Sequence, residues 1–322
     1  MARLEKMIAW VLIGSLVLAG QASFCPASDE PVRPRTIAMI TWRGETDAER
    51  GFLAGLDRKT RAITIQVHHA GQSVARLYEI IEQIQASPVD LIYVFGTTAT
   101  RIVLSRMKTT PVVFNVVSLP VATGIIASWS HSGNNAVGVS NQVPVRQQLK
   151  AFMKTCEFKR LGIIFNPGEQ NSLVLKRQVE HLSREFGFSL HAFPISERTD
   201  IPVRLAGLAE TVDAVYIPAD SLIKSLGRKI VSVLNAQKIP SMAAVESMVP
   251  DDGILLGLVP SYHALGLTAA EKANHILAGA APDSIASTTL DHFQFWINMK
   301  TAQRIGVQIP LSTLIMADRI VR

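Results

Sequence analysis

The residues able to do chemistry gather at the ends of apolar runs. Residues 90–100 read DLIYVFGTTAT, in which Leu91–Phe95 has the length and composition of a strand buried on both faces. Gly96 permits a sharp turn, and Thr97 and Thr98 stand where the next helix begins. A strand feeding a helix N-terminus through Gly and Thr can hold an anion, because unpaired N–H groups and the positive helix end converge there. An ordinary strand–turn–helix with Thr as N-cap reads the same way on this stretch alone. Similar polar residues follow the other runs. In the first half they include Trp42, Arg43, Glu45, Gln72, Ser73, Asn115 and Ser118; in the second, Asn166, Glu169, Asn171, Ser172, Asp220, Ser221 and Glu246. Each alone suits a cap or a turn. Together they offer hydroxyls and helix ends for an anion, carboxylates for a cation, and Trp42 for a flat apolar group. That inventory suits a small zwitterion and equally a neutral polar ligand.

Enzyme signatures are sparse. The chain has no G-x-G-x-x-G and no phosphate-binding Walker loop, and Gly138-Val139-Ser140 continues into Asn141-Gln142 rather than the x-Gly of a nucleophile elbow. His68 and His69 are adjacent, so on a strand they point to opposite faces, and no third metal ligand lies at a usual spacing. No catalytic residue, metal or cofactor is expected.

The elements that must position these residues alternate. Thr36–Thr41 reads as a strand, and Thr46-Asp47-Ala48-Glu49 is a capping box that opens a helix. Ala62–Val67 is a second strand, and Val74, Leu77, Tyr78, Ile81 and Ile84 mark an amphipathic helix over Ser73–Ala86. The 90–107 stretch and strand Pro111–Val117 follow. After a Gly/Asn-rich passage the programme restarts: helix Val145–Lys154, strand Leu161–Phe165, a long helix carrying Leu175, Val179, Leu182 and Phe186, then strands Ser189–Ile195, Ala214–Ile217 and Ile239–Val245 with helices between them, one over Val203–Thr211. Asp90-Leu91-Ile92-Tyr93-Val94 has a counterpart in Asp213-Ala214-Val215-Tyr216-Ile217, about 52 residues after Ala38 and about 51 after Gly162 respectively. Beyond Asp251 come a strand Ile254–Val259, a helix Tyr262–Ala278, a strand Thr288–Trp296 and a helix near Asn298–Ile305. The pattern predicts an α/β fold of two doubly wound parallel-sheet lobes, joined by three crossings near 140, 250 and 290. The lobes are expected over 36–140 plus 251–288 and over 141–250 plus 289–322. Ligands bind such sheets beyond the carboxyl ends of the strands, so two facing lobes place both sets of strand ends around one cleft.

The 322 residues, 48% hydrophobic, suffice for two lobes. Arg3 and Lys6 precede an apolar run, Met7–Ala19, and small residues at Gly20 and Ala22 follow, which is the layout of a secretory signal peptide over residues 1–22. Residues 23–35 read as a leader. Phe24 stands where lipidation of Cys25 needs a small residue, so a lipid anchor is not expected. The net charge is +6, and removing Arg3, Glu5 and Lys6 with the signal leaves +5. The basic residues are scattered without interleaved aromatics, so nucleic acid is not an expected partner.

Several passages carry a family resemblance: Phe95-Gly96-Thr97-Thr98-Ala99, Pro111-Val112-Val113-Phe114, Gly138-Val139-Ser140, Asn166-Pro167-Gly168-Glu169-Gln170-Asn171-Ser172, Tyr216-Ile217-Pro218-Ala219-Asp220-Ser221, Leu265-Gly266 and Gly306–Pro310. In this order they resemble the ABC-transporter substrate-binding family of the type I periplasmic-binding fold, whose studied members include aromatic amino acid binders. The resemblance spans residues 36–310. It implies a non-catalytic, monomeric, periplasmic receptor that delivers a small ligand to a membrane ABC permease. It further implies that Thr97 and Thr98 hold a ligand carboxylate while Asn166, Asp220 and their neighbours close from the other lobe. Three departures alter the pocket: Trp42-Arg43-Gly44 replaces the usual His-Pro after the first strand, Ser118-Leu119-Pro120 lacks the family's acid, and Ser221 replaces an Asn. The ligand-binding set expected is Trp42, Ser73, Gly96, Thr97, Thr98, Ser118, Asn166, Glu169, Asp220, Ser221 and Glu246, with Asp220 or Glu246 meeting an amine. A sensing partner of a membrane receptor, or an exported α/β enzyme, are the alternative functions.

Overall fold

The computed structural model describes residues 34–59 and 62–322; the signal peptide, nearly all of the leader and Cys25 lie outside them. The first lobe begins with β1 (Arg35–Thr41), α1 (Asp47–Gly55), β2 (Ile63–His69), α2 (Val74–Ala86), β3 (Leu91–Phe95), α3 (Thr97–Arg106), β4 (Val112–Asn115) and β5 (Ala136–Ser140). The chain then enters the second lobe: α4 (Val145–Thr155), β6 (Arg160–Phe165), α5 (Gln170–Phe186), β7 (Ser189–Pro194), α6 (Asp200–Arg204), α7 (Leu208–Thr211), β8 (Ala214–Ile217), α8 (Ser221–Ser225), α9 (Gly227–Ala236), β9 (Ser241–Ala243) and β10 (Leu256–Val259). It returns through α10 (Tyr262–Leu277) and β11 (Thr288–Thr289) to the first lobe, and ends in the second with β12 (Gln294–Asn298), α11 (Met299–Ile305), α12 (Leu311–Ile315) and β13 (Arg319–Val321).

The two sheets run β11-β5-β4-β3-β1-β2 and β13-β12-β10-β9-β8-β6-β7. Every pair is parallel except β10 with β12, where the chain re-enters the second sheet from the other lobe. The wholly buried β3 reflects helices on both of its faces, whereas edge strand β2 alternates in exposure. In both sheets the strand order reverses beside the first strand, between β1 and β3 and between β6 and β8. Such reversals open a crevice at the carboxyl ends of the strands.

The capping box forms as expected: Thr46 Oγ1 accepts from the Ala48 N–H, and the Thr46 N–H donates to Glu49 Oε2 at 2.7 Å. The repeat is physical as well as sequential. Asp90 accepts the Thr36 N–H at 2.8 Å and pairs with Arg35 at 2.9 Å, tying β3 to the start of β1. Asp213 accepts the Arg160 N–H at 2.8 Å and pairs with Arg160 at 2.7 Å, tying β8 to β6.

Three sequence expectations shift. Strand β10 pairs with β9 and β12, so the stretch 256–259 lies in the second sheet and not with the first lobe; the chain crosses back at Pro260–Ser261, not near 250. The strand expected over Thr288–Trp296 is two strands in different sheets, because a polar link at Asp291–His292 carries the chain between lobes. The helix expected over Val203–Thr211 is broken into α6 and α7 by Gly207, whose φ of +58° stops the first turn.

Helix α10 approaches α1 very closely. A Cβ on Gly51 would lie 2.1 Å from the His263 carbonyl oxygen, and one on Gly266 would lie 2.2 Å from that of Ala48. Only glycine permits this contact, which presses the N-terminus of α10 against the loop after β1. The opposite face of the second sheet has a core of its own, in which Leu149, Phe152, Leu161, Val179 and Tyr216 pack.

Candidate ligand-binding site

Both crevices open onto one small cavity of about 20 Å³. The first lobe lines it with Arg43, Phe95, Gly96, Thr97, Val116, Ser118, Asn141 and Tyr262; the second with Glu169, Asn171, Ala219, Asp220, Ser221 and Val245. Beyond Arg43 and Tyr262, which line both, the space widens into a groove of about 740 Å³ along the mouth of the cleft.

On the first side, β3 delivers Gly96 at φ +87°, a conformation that excludes a Cβ although nothing would touch one. Gly96 is the N-cap of α3, and no side chain caps that helix. Its first turn therefore presents N–H groups and the positive end of the helix to the cavity. Thr97 Oγ1 accepts from the Ser118 N–H at 3.3 Å, and Ser118 Oγ donates to Asn141 Oδ1 at 2.9 Å. A buried chain of bonds supports this rim. Thr46 Oγ1 donates to Glu49, Tyr93 Oη donates to Glu49 at 3.2 Å, and Asn115 Nδ2 donates to Tyr93 at 3.1 Å. Asn115 Oδ1 in turn accepts the N–H of Val116, held at φ +54°, which is an unfavourable conformation for a β-branched residue. Burial raises the Glu49 carboxyl above its usual range against the pull of these bonds.

The second side is acidic and its helix end is occupied. Asp220 caps α8 by accepting from the Ile223 N–H at 2.9 Å, and it accepts the Asn166 N–H at 3.0 Å. Glu169 accepts from the N–H groups of Ser221 and Leu222 at 3.2 and 3.3 Å. The two carboxylates are thus gathered at one helix end. Burial, then the charge of Asp220, pushes Glu169 up to about 7, and burial also raises Asp220. Asn171 donates to the Ala219 carbonyl at 2.7 Å, while its Oδ1 is buried without a partner.

Of the ligand-binding set expected from sequence, Gly96, Thr97, Ser118, Glu169, Asp220 and Ser221 come together on this cavity, with Arg43 and Asn171 from the wider group of strand-end polar residues. Glu246 lies in the outer groove, where its carboxylate accepts the Tyr262 N–H at 2.8 Å across the lobes; it is committed to the N-terminus of α10 rather than turned to an amine. Four others line neither space. Trp42 is buried in the first lobe's core, since adjacent residues at a strand end face opposite ways and its neighbour Arg43 takes the cleft side. Ser73 caps α2 by accepting from Arg76. Thr98 is rotated off the cavity by one helical step. Asn166 folds its side chain onto the Gly168 N–H in the turn, and its own N–H donates to Asp220. Tyr262 and Asn141 were not anticipated. Both sit where the chain crosses between lobes, and for Tyr262 the crossing lies ten residues beyond the one expected near 250. Among the described residues, no three His, Cys, Asp or Glu are grouped to hold a metal, and no helix is long and apolar enough to cross a membrane.

A family model for ABC transporter substrate binding proteins matches residues 37–321. The chain is 27% identical over 266 residues to a tyrosine-binding protein of Clostridioides difficile (strain R20291), covering 81% of this chain and 77% of that one. Its fold matches that of an ABC domain in complex with L-Trp from Streptococcus pneumonia, with a TM-score of 0.84 and 22% identity over 89% of this chain and all of the other. It also matches the ligand-free, open structure of a substrate binding protein with adhesive properties from Clostridium difficile, with a TM-score of 0.68 and 23% identity over 89% of this chain and 99% of that one. The two-lobe α/β architecture is that of the type I periplasmic-binding fold. By the match over nearly all of its described length, the chain belongs to the ABC transporter substrate binding protein family, whose members bind ligands and are not enzymes.

Proposed function

We propose that the protein is the exported capture component of an ABC importer, holding a small zwitterionic ligand of the amino acid class between its lobes and passing it to a membrane permease. One observation carries the reading: the uncapped end of α3 and the Glu169–Asp220 pair face one cavity from opposite lobes. The first attracts a carboxylate and the second an ammonium group. The relatives' ligands, tyrosine and L-Trp, have that pair of charges, and the apolar segment Met7–Ala19 supports export. A cavity of about 20 Å³ holds roughly one water. Entry of an amino acid therefore requires the lobes to part at Asn141–Pro144, Pro260–Ser261 and Leu290–Phe293, the hinged motion expected of two lobes on three connections.

Calorimetry with free amino acids tests the reading. Thr97→Val and Asp220→Ala are each expected to weaken the ligand at least tenfold, the loss of one well-placed polar contact. Unchanged affinity in both would overturn it.

A further inference from the structure

Arg43 follows β1 in the stretch Trp42-Arg43-Gly44 and lines the cleft from the first lobe. Its guanidinium lies 5.1 Å from the centre of the Phe95 ring and 5.8 Å from that of Tyr262. The two rings are 6.4 Å apart, so the guanidinium covers the aromatic corner that they form. The close glycine contacts hold α10, which begins at Tyr262, against α1. Of the five N–H donors of a guanidinium, one reaches Tyr262 Oη, at a long 3.4 Å. Arg43 makes no ion pair among the described residues. A stacked, half-buried and otherwise uncommitted guanidinium is preorganised for two-pronged contact with a carboxylate or phosphate.

The groove outside Arg43 is lined by six further basic side chains and five acidic ones. Its acids are largely engaged: Glu45 and Asp47 with Arg50, Asp252 with Lys224, and Glu246 with the Tyr262 N–H. Arg198, Arg228 and Lys229 line it without ion pairs among the described residues.

We propose that Arg43 is the specificity-determining residue of the cleft, selecting an amino acid whose side chain ends in an anionic group over one that ends in an aromatic ring. The inference rests on the amino acid reading above. The zwitterionic head lies between α3 and the Glu169–Asp220 pair, and the anionic end reaches Arg43 at the throat.

Matched pairs test it by calorimetry: L-glutamate with L-glutamine, L-aspartate with L-asparagine, and O-phospho-L-serine with L-serine, beside L-tyrosine and L-tryptophan. The expected result is about a tenfold or greater preference for the anionic member of at least one pair. Arg43→Met brings the ratio of affinities within that pair to about one, whatever it does to the neutral member alone, and Arg43→Lys retains part of the preference; an unchanged circular dichroism spectrum shows that both variants fold. Three results would overturn it: equal binding within every pair, a preference that survives in Arg43→Met, or tighter binding of L-tyrosine or L-tryptophan than of any anionic probe. All three leave the receptor reading standing. Binding of none of these amino acids would overturn this inference, and binding of no free amino acid at all would overturn that reading as well.

Discussion

In the first lobe β3 leads through Gly96 into α3, which starts with no side chain over its first turn; in the second, β8 leads through Pro218 and Ala219 to Asp220, and the first turn of α8 is filled by Asp220 and Glu169. Up to that point the two lobes are built alike. Asp90 and Asp213 tie equivalent strands, and Tyr93 and Tyr216 stand three residues further on, each buried and hydrogen-bonded through its hydroxyl. Even there the partners diverge: Tyr93 meets the carboxylate of Glu49, whereas Tyr216 meets the amide of Gln148 at 2.7 Å. A duplicated scaffold therefore carries opposite electrostatics at its two strand ends. A zwitterion needs that asymmetry, and two identical lobes would not supply it.

The comparison breaks most visibly at Asp220. Asp220→Ala removes a helix cap and orphans the Asn166 N–H, at a cost of about 2–4 kcal/mol in denaturant unfolding, while Asp220→Asn, which can still cap, loses less. Equal losses would show that the cap is not what Asp220 contributes.

The pH dependence comes next. Glu169 is raised from an ordinary 4.5 to about 7 in the folded protein, so the native state retains a proton that the unfolded chain has released. Its contribution is complete below pH 4.5 and lost as pH rises toward 7, on the order of 2–3 kcal/mol. Asp220, Arg43 and Tyr262 face the same cavity. Glu169→Gln is expected to flatten urea-measured stability over this window; an unchanged slope would place the titration elsewhere. The first lobe has no equivalent at its strand end, and Gly96→Ala should cost about 1–3 kcal/mol at every pH, from backbone strain at φ +87°. Smallest are Arg35→Met and Arg160→Met, each within about 1 kcal/mol, because the pairs are partly exposed and the aspartates keep their backbone donors.

Much of this frame was legible in the chain. The Asp-led strands, the capping box and the Gly-Thr turn follow from local rules, and Thr97, Glu169 and Asp220 fell on the cavity because strand ends at an order reversal must. What was hidden depends on parity and on crossings. Trp42 and Arg43 are equally plausible until the bend after β1 turns Arg43 to the cleft and Trp42 into the core. Thr97 and Thr98 differ by a single helical step. Tyr262 reads as the start of an ordinary amphipathic helix, and only the return of the chain through α10 brings it to the site. That Glu246 would accept a main-chain N–H of the other lobe has no local signature at all.

The central claim is that opposite charges in the two lobes read the two ends of an amino acid. A ligand that binds only the folded protein raises its stability, so thermal unfolding across the free amino acids, in wild type and in Glu169→Gln/Asp220→Asn, tests it most directly. The account predicts that at least one amino acid raises the midpoint of the wild type and leaves the double variant unmoved; a rise of equal size in both, or none in the wild type, would contradict it.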